Sequence, residues 1–228
     1  MKIGSPAWCA LIQDGAGAMG ITVSPAQAAL FTRHADALIA WNRTTNLTAI
    51  TNPEEVAVKH FLDAVAPLAH IPKGAVVLDI GAGGGFPGLP LKVMAPSLSM
   101  TLIDGVRKKV SFLKYVIRIL ALSGIEAHHI RAEALAREPG MAGGFDIIVC
   151  RALASLADII RLGRPLLKPG GRIIAMKGEI SETELQAATP AGEDRPGTVH
   201  RIQTVAYTLP VLELPRRLFL VRIPGPAA

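Results

Sequence analysis

The chain has 228 residues, of which 50% are apolar, 18% charged and 4% aromatic, and its net charge is +6. This composition is typical of a folded protein with a buried sheet and excludes an intrinsically disordered chain. No apolar run approaches the roughly 18 residues of a membrane helix, and Cys9 and Cys150 lie outside any disulfide or metal-binding motif. We therefore expect a cytoplasmic protein with no secretory signal, membrane segment or metal.

Residues 1–70 are predicted to form an N-terminal helical extension. Ser24-Pro25-Ala26-Gln27 combines an N-cap, a proline in the first turn and a capping-box glutamine. Asn52-Pro53-Glu54-Glu55 repeats the start signal, and the helix that it opens is expected to run to about Pro67.

From residue 71 to residue 228 short apolar runs alternate with amphipathic segments, which predicts a parallel sheet covered by helices on both faces. The last two strands follow one another without a helix, so an antiparallel hairpin is expected at the end of the sheet. Residues 189–197 are typical of a surface loop. The predicted strands are Val76–Ile80, Met100–Asp104, Ala127–Ile130, Asp146–Arg151, Arg172–Met176, Val199–Thr208 and Arg217–Ile223, and the predicted helices are Pro87–Met94, Lys108–Leu122, Ser155–Leu166 and Glu182–Ala188.

A glycine-rich turn follows the first predicted strand. Gly81, Gly83 and Gly85 form a GxGxG pattern, with Phe86 where a dinucleotide fingerprint would have its third glycine. Glycines without side chains allow a ligand to approach the backbone, and the next helix start offers unpaired N–H groups. The pattern predicts a nucleotide-like ligand, with a tight structural turn as the alternative.

Three further elements end neighbouring strands and should meet at the same edge of the sheet. Asp104 can accept hydrogen bonds from ribose hydroxyls, or can cap the following helix. Ala132 and Glu133 follow the third strand, where an ordinary helix start is the alternative. Arg151 ends an apolar strand and faces the ligand edge unless it forms a surface salt bridge.

The positive charge is concentrated in the middle of the chain. Residues 105–177 carry 13 Lys and Arg and 5 Asp and Glu, whereas residues 1–104 carry 6 and 7. Such an excess suits a polyanionic partner, because contacts with phosphates release counterions. The cluster of Arg107, Lys108 and Lys109 is either part of this surface or a solvated helix face.

Several longer segments carry a specific resemblance. The segments LDIGAGGGFPGLPLKV, TLIDGVRKKVSFL, RAEALA, DIIVCRALASL and LLKPGGRIIAMKG, with WNRTTNLT and HFLD before them, resemble the bacterial 16S rRNA (guanine-N7)-methyltransferase family, once called glucose-inhibited division protein B. The similarity spans roughly residues 24–223. It implies a class I methyltransferase fold, Rossmann-like, with a mostly parallel seven-stranded sheet and a terminal antiparallel hairpin.

The resemblance also implies an activity: transfer of a methyl group from S-adenosyl-L-methionine to N7 of a guanine in 16S rRNA, the guanine at position 527. The expected partner is this RNA or the small ribosomal subunit, including an assembly intermediate. The resemblance implies cofactor contacts at Gly81, Phe86, Ala132, Glu133 and Arg151, with the turn of Asp104, Gly105 and Val106 beside the ribose.

No catalytic acid or base is predicted, because guanine N7 already presents a lone pair and carries no proton. His60, His128 and His129 are interpreted as core or surface imidazoles. Two other functions remain open: methyl transfer to a small molecule or protein, and RNA binding without catalysis. The residues expected on the RNA side are Asn42, Asn46, Arg107, Lys108, Lys109 and Lys177.

Overall fold

Three helical segments precede the first strand in the computed structural model, which describes residues 1–151, 154–189 and 201–223. Helix α1 spans Pro6–Ala18 and α2 spans Pro25–Thr45. The capping box predicted at Ser24 is present. The prediction missed α1, although Ser5 before Pro6 gives the same start signal and its hydroxyl accepts a hydrogen bond from the Trp8 N–H at 3.3 Å.

The third helical segment changes its winding along its length. It comprises α3 at Pro53–Glu55, a π-helix at Val56–Leu62, α4 at Asp63–Val65 and a 3-10 turn at Ala66–His70. The predicted start at Asn52 and Pro53 is confirmed. The segment is not one regular helix, and it ends at His70, three residues after the predicted end at Pro67. π-turns are rare and occur mainly near functional sites.

The chain from Val76 onward forms a seven-stranded sheet in the order β3-β2-β1-β4-β5-β7-β6. The first five strands are parallel, and the terminal hairpin pairs β7 antiparallel to both β5 and β6. This confirms the predicted fold class. The strands are β1 Val76–Ile80, β2 Ser99–Asp104, β3 Ile125–His129, β4 Phe145–Arg151, β5 Leu167–Lys177, β6 Arg201–Leu209 and β7 Leu214–Arg222.

The helices between the strands are α5 Gly88–Met94, α6 Arg107–Ile119, α7 Ala132–Leu135, α8 Leu156–Gly163, followed by a 3-10 turn at Arg164–Leu166, and α9 Glu182–Ala188. Four of them match the predicted segments to within a few residues at each end, whereas α7 is the helix start expected as the alternative to a ligand contact at Ala132 and Glu133. Strand β5 starts five residues before its predicted bound, because Leu167 already pairs with Phe145. The loop predicted at residues 189–197 lies, except for Thr189, outside the described residues.

Both faces of the central strands are buried, whereas the edge strands β3 and β6 are largely exposed, and alternate residues of the central strands enter two hydrophobic clusters. On one face Val77 and Leu102 pack in the same cluster as Trp8 and Phe61 from the N-terminal helices. On the other face Leu78 packs in a cluster with α8. The helices therefore share a core with the sheet, while the domain boundary at residue 70 stays a prediction.

Cys150 lies fully buried on β4, and burial raises the pKa of its thiol to about 12. It is a core residue, as predicted. None of the helices in the described ranges combines the length and apolar character that a membrane crossing needs. The same ranges contain no group of three His, Cys, Asp or Glu side chains arranged to hold a metal ion.

Candidate functional site

The glycine turn joins β1 to α5 and closes over the end of β2. The N–H groups of Gly81 and Ala82 donate to the Ile103 carbonyl at 2.9 and 3.0 Å. Gly83 has φ +54°, and a Cβ there would meet only the Gly81 carbonyl oxygen, at 3.8 Å, so a ligand can approach this backbone. Gly85 is different, because a Cβ there would overlap Leu89 in the interior.

Asp104, at the end of β2, organises the turn from the side. Its carboxylate is 7% exposed. One oxygen accepts from the Gly83 N–H at 3.0 Å and the other accepts from the Val106 N–H at 2.8 Å, next to the start of α6. A carboxylate has about four acceptor sites, so each oxygen retains one for a ligand hydroxyl. The support of the helix start and a ribose contact are therefore compatible.

A cleft of about 210 Å³ opens along the ends of β1, β2 and β3. Ile80, Ile103, Ile130 and Leu162 supply apolar walls, which suit a flat ring. The remaining lining includes five of the predicted cofactor-site residues, whereas Val106 is exposed outside this lining. Those five residues are Gly81, Asp104, Gly105, Ala132 and Glu133.

Asp79 on β1 is a buried carboxylate with half of its hydrogen-bonding capacity unused. Oδ2 accepts from the Gly88 N–H at 2.8 Å, whereas Oδ1 has no partner among the described residues. Burial raises the pKa of Asp79 to about 7, and the charge of Arg151 opposes this shift. Asp79 is fully buried, so it can favour a positively charged ligand at the turn through its charge and not by direct contact, whereas the open turn and Asp104 fit S-adenosylmethionine by contact.

Arg151, at the end of β4, is held on three sides by partners distant in sequence. Nη1 donates to the Lys59 carbonyl oxygen at 2.7 Å and to the Asp63 carboxylate at 3.3 Å, and Nη2 donates to His60 Nδ1 at 3.1 Å. Asp63 also accepts from the Tyr207 hydroxyl at 2.7 Å. Lys59 lies in the middle of the π-helix, so the guanidinium bonds to a backbone carbonyl of that irregular turn.

His60 is fixed in one tautomer by its two partners. A guanidinium only donates, so Nδ1 accepts and the ring proton is on Nε2, which donates to Thr48 Oγ1 at 2.9 Å. Burial, followed by the charge of Arg151, lowers the pKa of His60 to about 3. His60 is therefore neutral with both nitrogens engaged, while His128 and His129 are exposed.

Phe86 is stacked between two imidazoles. Its ring centroid lies 4.7 Å from that of His34 and 4.5 Å from that of His60, and the planes are within 15° of parallel. His34, on α2, also bonds through Nε2 to the Gly84 carbonyl at 2.8 Å, so the helical extension contacts the glycine turn directly. The sequence gives one indication that His34 contacts the glycine turn, which is its position on the buried face of α2.

A larger cleft, of about 460 Å³, lies beside Arg151. Four basic side chains line it: Lys59, Arg151, Lys177 and Arg216. Lys177, predicted on the RNA side, pairs with Glu184 at 2.8 Å and donates to the Ala154 carbonyl at 2.5 Å.

The other predicted RNA-side residues have different environments. Asn42 uses its whole amide in the turn after α2: Oδ1 accepts from the N–H groups of Leu47 and Thr48 at 2.7 and 2.9 Å, and Nδ2 donates to the Thr48 carbonyl at 2.8 Å. Asn46 is exposed and ends α2 with φ +49°. Residues 107–109 form the first turn of α6, and their side chains make no ion pair within the described chain.

The strand order, the antiparallel β7, the glycine turn and the acidic end of β2 define the fold of the class I S-adenosylmethionine-dependent methyltransferases. A solved methyltransferase of this class from Aquifex aeolicus aligns with a TM-score of 0.56 at 15% identity, over 82% of this chain and 98% of that one. The [4+2]-cyclase SpnF aligns with a TM-score of 0.54 at 16% identity, over 75% of this chain and 82% of that one. The fold alone therefore does not fix the reaction.

Relatives with higher sequence identity identify the family. The model of the rRNA small subunit methyltransferase G family (GidB) matches residues 27–206, and the chain belongs to this family. A protein named ribosomal RNA small subunit methyltransferase G from Geobacter sp. strain M21 is 43% identical over 78% of this chain and 81% of its own length. Its namesake from Myxococcus xanthus is 40% identical over 86% and 88%.

Proposed function

We propose that this protein transfers the methyl group of S-adenosylmethionine to N7 of a guanine in 16S rRNA, the guanine at position 527, in the cytoplasm. The arrangement that supports this most is a pair of clefts at the carboxyl ends of the parallel strands. The smaller cleft contains Gly81 and Asp104, after β1 and at the end of β2, and the larger one, with Arg151 and Lys177 at the ends of β4 and β5, is lined by four basic side chains. Each of the four pairs with a carboxylate, but Asp63 is the one acidic side chain among the described lining residues, so the lining keeps a positive excess. Such an excess attracts a nucleotide within a polyanion and gives no advantage to a small neutral acceptor.

The smaller cleft would hold the cofactor with Gly81, Ala132 and Glu133 along its walls and Asp104 toward the ribose. Arg151 and Phe86 would border the methionine end, where Asp79 contributes negative charge. When bound, S-adenosylmethionine supplies a methyl group on a positively charged sulfur.

The reaction needs positioning rather than proton transfer. Guanine N7 carries a lone pair in the ring plane, and no proton must leave before attack. Both nitrogens of His60 are engaged, so the imidazole closest to the reacting end is not a free base. Alignment of the two reactants, which can account for roughly 7 to 11 kcal/mol of barrier reduction, is the main contribution expected from the protein.

The first turn of α6 is proposed to bind RNA phosphates outside the cleft. Replacing Arg107, Lys108 and Lys109 together by Ser should leave the affinity for S-adenosylmethionine unchanged and raise the RNA concentration for half-maximal methylation. Each lost phosphate contact should reduce the slope of log affinity against log salt by roughly 0.7 to 0.9. A triple variant with the parental slope and concentration dependence would show that this turn is only solvated.

The decisive experiment is methyl-group mapping on rRNA from cells with and without the gene, followed by restoration in vitro. Naked 16S rRNA, partly assembled subunits and mature small subunits are supplied separately with labelled cofactor, since an assembly intermediate is one proposed substrate. Loss of a single N7-methylguanine that the purified protein restores supports the proposal. Label found only in small molecules or protein, or no transfer despite RNA binding, contradicts it.

A further inference from the structure

Three arginines lie side by side at the end of the sheet opposite to the cofactor clefts. In the register of the last strands Arg172 on β5 is directly opposite Arg222 on β7, and Arg222 is directly opposite Arg201 on β6. Residues directly opposite in neighbouring strands project from the same face, with Cβ atoms about 5 Å apart. The three side chains therefore form a row across three adjacent strands.

This arrangement is unfavourable for the protein on its own. Like charges directly opposite each other in a sheet are destabilising. None of the three arginines has an ion pair with a carboxylate in residues 1–151, 154–189 or 201–223. Arg201 and Arg222 are exposed, so their charges are accessible to an external partner.

The row continues into a cleft of about 390 Å³ at the amino-terminal ends of β1 and β4. Lys73, Lys168 and Arg172 line it together with Asp146, which pairs with Lys168 at 2.8 Å, so the lining keeps a positive excess. A Cβ at Gly74 or Gly170 would meet nothing within 4 Å, so backbone is also open there. Burial, followed by the charge of Arg172, lowers the pKa of His70. Positive charge therefore extends from the hairpin to the start of β1.

We infer that Arg172, Arg201, Arg222 and Lys73 form a second RNA-binding surface, which contacts phosphates of the rRNA substrate far from the methylated base. Guanidinium groups match phosphate oxygens with two parallel hydrogen bonds. RNA is favoured over an acidic protein because the proposed substrate is itself a polyanion, large enough to reach both ends of β5, where Arg172 lies five residues, roughly 16 Å, from Lys177 of the larger cleft. One folded RNA can contact both ends of the strand.

The inference rests on the proposed function, and the experiment separates the two. The test variant combines Arg201→Ser and Arg222→Ser, both at exposed positions. The control combines Lys2→Ser and Arg137→Ser, two exposed positions that remove the same net charge elsewhere. All three proteins are first compared in thermal unfolding and in affinity for S-adenosylmethionine, which should agree.

Binding of protein-free 16S rRNA is then measured from 0.05 to 0.3 M salt. Two lost phosphate contacts should lower the slope of log affinity against log salt by about 1.4 to 1.8 and weaken binding roughly ten- to twentyfold at 0.15 M salt, with the control near parental values. Parental affinity and slope in the test variant, or an equal loss in the control, would overturn the inference. If the parental protein methylates no rRNA, the proposed function itself is wrong.

Discussion

The unpaired carboxylate of Asp79 makes the stability of the ligand-free protein depend on pH in a predictable direction. The pKa of Asp79 is about 7 in the folded protein, against 3.8 for an unperturbed side chain, because burial disfavours its charge. Below pH 4 both states hold the proton. Between pH 4 and pH 7 only the folded state holds it, so stability falls as pH rises through this window and is constant again above it.

The substitution Asp79→Asn removes this titration and keeps an oxygen for the Gly88 N–H. Its amide nitrogen would have no acceptor, which costs roughly 1 to 3 kcal/mol at every pH. The pH-dependent part of the difference in unfolding free energy is separate from this constant cost. At about 1.36 kcal/mol per pH unit, the parental protein should lose about 2.5 kcal/mol relative to the variant between pH 5 and pH 8.

The measurement is urea unfolding of both proteins at half-unit pH steps, with the difference in unfolding free energy plotted against pH. Other titrating groups are common to the two proteins and cancel in this difference. Saturating S-adenosylmethionine should flatten the curve, since a cation near Asp79 stabilises the ionised form. A constant difference from pH 5 to pH 8 would mean that Asp79 is already ionised at pH 5, and the reasoning would be refuted.

Three further substitutions test individual contacts. Gly83→Val should lower the free energy of unfolding by about 1 to 2 kcal/mol, because φ is +54°. It should also abolish cofactor binding in calorimetry, because the side chain fills the open approach to the backbone. Unchanged affinity would exclude this glycine from the site. Asp104→Ala should weaken cofactor binding by roughly 1.5 to 3 kcal/mol, about 10- to 150-fold; lower thermal stability with intact affinity would leave only a structural role. Tyr207→Phe removes a hydrogen bond to Asp63, which in turn holds Arg151. The freer Arg151 should reduce the methylation rate at saturating RNA and cofactor. An unchanged rate with lower stability would mean that Tyr207 contributes only to packing.

Local rules predicted the parts of the protein that depend on neighbouring residues. The cap signals at Ser24 and Asn52 both start helices, because a capping hydroxyl or amide reaches backbone N–H groups only two or three positions ahead. The same rule could have located α1 from Ser5. The alternation of strands and helices gave the parallel sheet, and the final pair of strands gave the hairpin.

The cofactor edge was also accessible from the sequence. Parallel strands end at one edge of a sheet, so the residues after β1, β2 and β3 had to meet, and Gly81, Asp104 and Ala132 line one cleft. The sequence did not show that Gly83 and Gly85 lie in different environments. Gly83 faces open space and Gly85 faces Leu89, because the path of the turn depends on the packing of α5 below it.

The sequence by itself thus determined the fold class, the order of the strands and the edge of the sheet at which we propose that the cofactor binds, since each follows from spacing along a few residues. Only the tertiary structure decided what surrounds Arg151. Tyr207 and Asp63 are 144 positions apart, and Arg151 bonds to Lys59 across 92 positions. Such contacts depend on how the third helical segment and the terminal hairpin pack against β4, and a buried guanidinium takes whichever acceptors that packing brings within reach.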